Sequence, residues 1–234
     1  MNPRAGFSFS SSWGARSETP RALATRCLST FHRLQTIDPV FANWFIGKNG
    51  RGVPLILDIA SLETEIAARS WGRRGYTLNV KTELRGSGPR NFNLNMSMAS
   101  ISSNNINLGT DFGRIPDPSI VTYRIFRGAM LAVADSFGVE RAYAFPTRLT
   151  DFWRRAQDPN PHFPIAWISY VAPRLTHLVT PPPTAIVERR PDGSLLMAAT
   201  DETFDVDNPA HMAVAREIEA AVAPLNGRPW EPET

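Results

Sequence analysis

The chain has 234 residues, 42% hydrophobic and 20% charged, the balance of a globular protein that buries a sizeable core rather than of a disordered or fibrous one. One cysteine, Cys27, excludes an intrachain disulfide framework and a multi-cysteine metal site. The net charge of +3 hides an asymmetry: residues 1–110 carry 13 Lys+Arg against 6 Asp+Glu (+7), and residues 111–234 carry 12 against 16 (−4).

No stretch has the apolar run of a signal-peptide core or a membrane span, so the expectation is a cytoplasmic protein with no membrane contact. No long polar linker interrupts the chain, which predicts one domain over 1–234 with an ordered core from about 7 to 227 and disorder at the ends. Only Lys48 and Lys81 among the basic residues are lysines, a bias that coding preference alone can produce. Arginine nonetheless offers a planar fork for partner carboxylates or phosphates.

Phe7, Ser8, Phe9 and Ser10 alternate apolar and polar, which predicts a short half-buried strand broken by Trp13-Gly14. Ser17-Glu18-Thr19-Pro20 then supplies a capping hydroxyl and a first-turn proline, and Leu23, Cys27, Phe31 and Leu34 fall on one helical stripe facing a core. Asp38-Pro39 repeats the signal and predicts a second, shorter helix through Val40, Phe41, Trp44 and Phe45, hairpinned over the strand.

These residues carry a resemblance. Trp13-Gly14-x-Arg16-x-Glu18, an amphipathic helix, and then Asp38-Pro39-x-Phe41-x-x-Trp44 resemble the opening of the immunity protein 52 family of bacterial polymorphic toxin systems. The later Ala166-Trp167-Ile168-Ser169-Tyr170 is similar to a second family pattern, a Gly/Ala-Trp-hydrophobic-x-Tyr strand. The resemblance implies an α+β fold and a non-catalytic partner of a cognate toxin, with no cofactor, since immunity by binding needs none. Toxins found beside this family carry a restriction-endonuclease-like nuclease domain. Nothing between Lys48 and Arg114 takes part in the match.

The glycines of Gly47 to Gly52 read as a turn; no Gly-Lys-Ser/Thr ends them as a phosphate loop requires. Asp58 to Trp71 reads as a capped helix, and Arg69, Arg73 and Arg74 either complement its negative end or bind phosphate. Tyr76 to Thr82, Phe92 to Met98 and the run through Ile106 and Leu108 predict three antiparallel strands with a polar face that includes Asn91, Asn93 and Asn95. Asp117-Pro118 predicts a long helix to Phe137, closed by Gly138. A short strand holds Tyr143 and Phe145, a helical segment holds Leu149, Phe152 and Trp153, and Pro159, Pro161 and Pro164 exclude helix beyond it. Ile165 to Val171 reads as a strand covered on both faces, and Pro191-Asp192-Gly193 turns a hairpin. Asn208-Pro209 starts a last helix with Val214, Ile218, Ala221, Val222 and Leu225 on its stripe. The sum is α+β, a mainly antiparallel sheet with helices packed on at least one face.

Catalytic patterns are absent from the sequence. His32, His162, His177 and His211 are far apart and lack ligand spacing, Cys27 sits on an apolar stripe, and no nucleophile elbow or dinucleotide fingerprint occurs. The expectation is therefore no enzyme, no metal and no cofactor. Trp13, Gly14, Arg16, Glu18, Trp167 and Tyr170 read as fold-setting residues, although an Arg and a Glu flanking a tight turn also suit a functional site. Asp201, Glu202, Asp205 and Asp207 surround Phe204, which suits docking into the cationic cleft of a nuclease toxin, with Phe204 as apolar anchor; a solvated loop is the other reading. A basic nucleic-acid-binding module is the alternative for the whole chain, motivated by its basic first half, although no recognised motif accompanies the charge.

Overall fold

The computed structural model describes residues 6–48, 51–84, 88–111, 114–153 and 164–226. Its centre is strand β1 (Phe7–Gly14), which pairs antiparallel with β6 (Ser103–Thr110) on one side and β7 (Arg141–Pro146) on the other. Outward from β6 lie β5 (Phe92–Met98), β4 (Tyr76–Lys81), β2 (Phe45–Lys48) and β3 (Arg51–Pro54); outward from β7 lie β8 (Ile168–Val171), β10 (Leu195–Ala198) and β9 (Ile186–Arg189). Every pairing in this ten-stranded sheet is antiparallel. With its helices it forms the expected α+β architecture.

Register assigns the two faces. Val80, Leu94, Leu108, Phe9, Ala144, Ile168 and Ala198 stand opposite one another in a row across the sheet, and all are buried. Over this face lie α1 (Pro20–Ile37), α2 (Ile59–Ala67) and α3 (Tyr123–Phe137), packed on each other and on the sheet. The α1 stripe Leu23, Cys27, Phe31 and Leu34 is fully buried, and each such Leu or Phe contributes about 1.5–3 kcal/mol of burial. The neighbouring row, Asn79, Asn95, Asn107 and Ser10, points the other way and stays at least partly open to solvent. Further along, at Ser169 and Met197, the same row is buried, so the β8–β10 end is covered on both faces. Helix α5 (Pro209–Val222) packs against β10, and the short α4 (Thr150–Trp153) follows β7.

Several boundaries differ from the sequence reading. Strand β1 runs through Trp13-Gly14, because Gly14 keeps paired partners: its N–H donates to Glu140 and its carbonyl accepts from Asn104. Asp38-Pro39 starts only a 3-10 turn, Pro39–Phe41, and Phe45 already belongs to β2, so no helical hairpin forms. The glycine cluster contributes to the β2–β3 hairpin, with Asn49-Gly50 outside the described residues. Helix α2 ends at Ala67, well before Trp71. Asp117-Pro118 likewise caps a 3-10 turn, and α3 starts after it on a Thr122 cap. Asn91 is buried rather than part of a solvated ladder: its Oδ1 accepts from the Glu83 N–H. On α5 the buried stripe is His211, Met212, Ala215, Ile218 and Val222, with Val214 and Ala221 only partly covered. Residues 1–5 and 227–234, the Gly86-Ser87 turn, Pro159, Pro161 and His162 lie outside the described residues.

Candidate functional site

The C-terminal end of β1 collects charge. An α-helix leaves its last carbonyls without intrahelical donors, and at the end of α3 two arginines reach them: Arg16 Nη2 donates to the Phe137 carbonyl at 2.6 Å and Arg26 Nη1 to that of Ser136 at 2.8 Å. Glu18 accepts from Arg26 Nε at 2.6 Å and lies 3.8 Å from Arg16 Nε, orienting both guanidiniums. Cations at a helix C-terminus are favoured by its dipole. Gly138 closes the helix with φ +62. The Trp13 ring is buried, 5.4 Å from that of Phe137, with the Arg16 guanidinium 5.6 Å from its centroid. The four motif residues are thus brought together, around the end of a helix rather than around a cavity.

Trp167 and Tyr170 are buried in β8 and the segment before it. Trp167 Nε1 donates to the Thr200 carbonyl at 2.9 Å, and its ring meets Phe7 and Phe126. Burial pushes the Tyr170 phenol above its ordinary range, partly offset by its hydrogen bond with Ser194.

The acidic segment lies at the opposite end of β1, where Gly6, Phe7, Pro146, Arg148 and residues 203–206 line a cavity of about 270 Å³. Phe204 is only 2% exposed and packs 5.6 Å from the His211 ring. The expectation that it is an available anchor for a partner is corrected: the backbone of the segment folds it into the core. The Asp205 N–H donates to His211 Nδ1 and the Thr203 hydroxyl to the Val121 carbonyl, which fixes that orientation. Asp201, Glu202, Asp205 and Asp207 are exposed. Asp207 is held by a bidentate Arg148 at 2.7 and 2.9 Å, and this hydrogen-bonded pairing keeps its carboxyl below the usual range. The negative field of the segment therefore comes mainly from Asp201, Glu202 and Asp205.

Another cavity, about 320 Å³, lies between the β2–β3 hairpin and α2, with Ile46, Leu55 and Ile56 in its wall. Lys48 and Glu65 pair at its edge, and Arg69 joins Glu65 at 2.6 Å. Burial raises the Glu65 carboxyl, but Lys48 and Arg69 outweigh it and the group ends below its ordinary value. Among the described residues no group of three His, Cys, Asp or Glu is placed to hold a metal. His32 and His177 are exposed on separate elements. Cys27 is fully buried beside the sulfurs of Met96 and Met98, and desolvation pushes its thiol far above the range in which a thiolate forms. No helix among the described residues is long and apolar enough to cross a membrane.

The model of immunity protein 52, Imm52, matches residues 7–225. The chain belongs to the immunity protein 52 family. Membership makes it an immunity protein, whose partner is a cognate toxin. Among solved structures, this Imm52 protein is similar in fold to the Pseudomonas aeruginosa T6SS protein PA0821, with a TM-score of 0.54, 10% sequence identity, and coverage of 92% of this chain and 72% of that one. No curated protein matches it.

Proposed function

We propose that this immunity protein is a non-catalytic inhibitor, acting in the cytoplasm of the cell that makes both partners, and that its cognate toxin is a nuclease. The observation that carries the nuclease reading is the exposed set Asp201, Glu202 and Asp205, mounted on the buried Phe204–His211 contact. A nuclease needs a cationic cleft to hold phosphates, and fixed carboxylates that enter such a cleft both block it and speed encounter. With Phe204 turned inward, this contact is electrostatic and its hydrophobic anchor lies elsewhere. That the structural neighbour is a T6SS protein agrees with a toxin–immunity setting. The buried thiol, the scattered histidines and the all-structural pairing of Arg16, Glu18 and Arg26 support the absence of catalysis.

The alternative of a nucleic-acid-binding module loses its footing in the ion pairs. Arg21, Arg26, Arg33, Lys48, Arg69 and Arg90 of the basic half each meet a carboxylate, and for Arg33 and Arg90 that carboxylate, Asp135 or Asp117, comes from the acidic half.

The test is co-purification with the toxin domain encoded in the neighbouring reading frame, followed by association kinetics. Asp201→Lys with Glu202→Lys is expected to slow association, with the deficit shrinking at high salt, and to leave the melting temperature unchanged. Association at the wild-type rate at low salt would reduce the segment to solvated surface.

A further inference from the structure

Beside the C-terminal end of β1, two adjoining turns expose what soluble surfaces usually cover. Trp71 is 61% exposed and Ile101 67% exposed, and Arg73 and Arg74, in the same turn as Trp71, are exposed as well. The turns are tied by a hydrogen bond from the Ile101 N–H to the Arg73 carbonyl at 3.4 Å. Neither Arg73 nor Arg74 has an ion-pair partner among the described residues, although most of the described arginines have one.

Both turns are tightly packed and hydrogen-bonded. Gly75 has φ +80, and a Cβ there would lie 2.0 Å from the Met98 carbonyl oxygen, so the first turn is locked against the second. In the second, Ala99 has φ +56, the one positive φ outside glycine among the described residues. The left-handed region crowds the Cβ of an L-residue against its own carbonyl, and such strain persists only where the surroundings over-determine it. Here Asn104 does so: its Oδ1 accepts from the Ser100 N–H at 2.8 Å while its Nδ2 holds the Gly14 carbonyl at 2.6 Å.

We infer that Trp71, Arg73, Arg74 and Ile101 form a protein-docking surface whose occupant is a face of the cognate toxin carrying carboxylates around an apolar pocket. The inference rests on the immunity reading and supplies the hydrophobic anchor that the acidic segment lacks. Trp and Arg are the side chains that most often dominate binding energy at protein contacts, and rigid presentation lowers the ordering cost of association. The two uncompensated cations call for acids on the partner. Nucleic acid fits less well: Trp71 offers a face on which a base can stack, but Ile101 beside it does not, and two phosphate contacts give weak affinity with a shallow salt dependence.

The experiment measures binding kinetics of the full chain against the neighbouring toxin domain, and against a labelled oligonucleotide, single- and double-stranded. Trp71→Ala and, independently, Ile101→Ala are expected to weaken toxin binding, Trp71→Ala by about tenfold or more and mainly through faster dissociation, with unchanged melting temperatures. Arg73→Glu with Arg74→Glu is expected to slow association in a salt-dependent way, and the double lysine variant to restore it. Wild-type toxin kinetics in all of these variants would overturn the inference while leaving the immunity reading intact. Oligonucleotide binding by the wild type that the variants lose, with toxin binding unaltered, would overturn it in favour of nucleic acid. Failure of the wild type to bind the toxin would remove the functional reading and this surface with it.

Discussion

The two ends of β1 invert each other. At the Phe7 end an aromatic side chain, Phe204, is folded inward and its flanking carboxylates are left outside. At the Gly14 end charged groups are drawn in, with the Arg16 and Glu18 side chains only 11% and 9% exposed, while an aromatic, Trp71, stands out in solvent. The seven steps from Phe7 to Gly14, at about 3.4 Å each, put the two ends of β1 roughly 24 Å apart. Residue type does not decide which is surface. The deciding factor is where backbone donors and acceptors need partners: the end of α3 needs cations, whereas the carboxylates of the loop after β10 meet Arg148 and His211 at the surface.

The strongest way to break this comparison is Phe204→Ala. If Phe204 is core, the variant loses about 3–5 kcal/mol in denaturant titration; a loss under about 1 kcal/mol would return the residue to the surface and to partner binding. At the other end, Glu18→Ala leaves the partly buried Arg16 and Arg26 without their shared counter-charge, and a loss of about 2–4 kcal/mol is expected from thermal or chemical unfolding. A silent Glu18→Ala would mean that the arginines cap α3 without orientation from the carboxylate.

Cys27, under α1, is the internal reference. Cys27→Ser places a hydroxyl in a fully buried site and is expected to cost about 1–3 kcal/mol at neutral pH. Its pH dependence has a definite sign. The folded thiol is raised above its ordinary value of 9.0, so the stabilisation is complete below pH 9 and falls as pH rises beyond it, when only the unfolded chain ionises. The wild type should therefore lose up to about 1.4 kcal/mol per pH unit above 9 relative to Cys27→Ser, closing the gap between them. A gap that stays constant to about pH 10.5 would place the thiol in contact with water.

The strands were legible where alternation is unbroken. Phe92, Leu94, Met96 and Met98 face the core as their spacing predicts, and Thr19-Pro20 and Asn208-Pro209 cap real helices. The same dipeptide logic failed at Asp38-Pro39 and Asp117-Pro118. A cap fixes only the first turn, and the path of the chain beyond it depends on whether the next residues are needed in the sheet, as Phe45 is, or in a separate helix, as Tyr123 is. Of the site, the residues of the Trp13–Glu18 motif were visible but not their target, since the α3 carbonyls lie more than a hundred residues along the chain. Phe204 was misplaced because its sequence neighbours are mostly acidic or polar, and the His211 contact that turns it inward is formed only once α5 exists. Trp71 was hidden inside a helix that in fact stops at Ala67.

The position of β1 in the sheet also sets when protection can begin. The Thr147 hydroxyl donates to the Gly6 carbonyl across 141 residues, and until β7 has been synthesised one whole edge of β1 has nothing to pair with. At typical translation speeds that interval is roughly 7–30 s. During it the β4–β5–β6 meander can close on its own, but the two halves of the sheet cannot join.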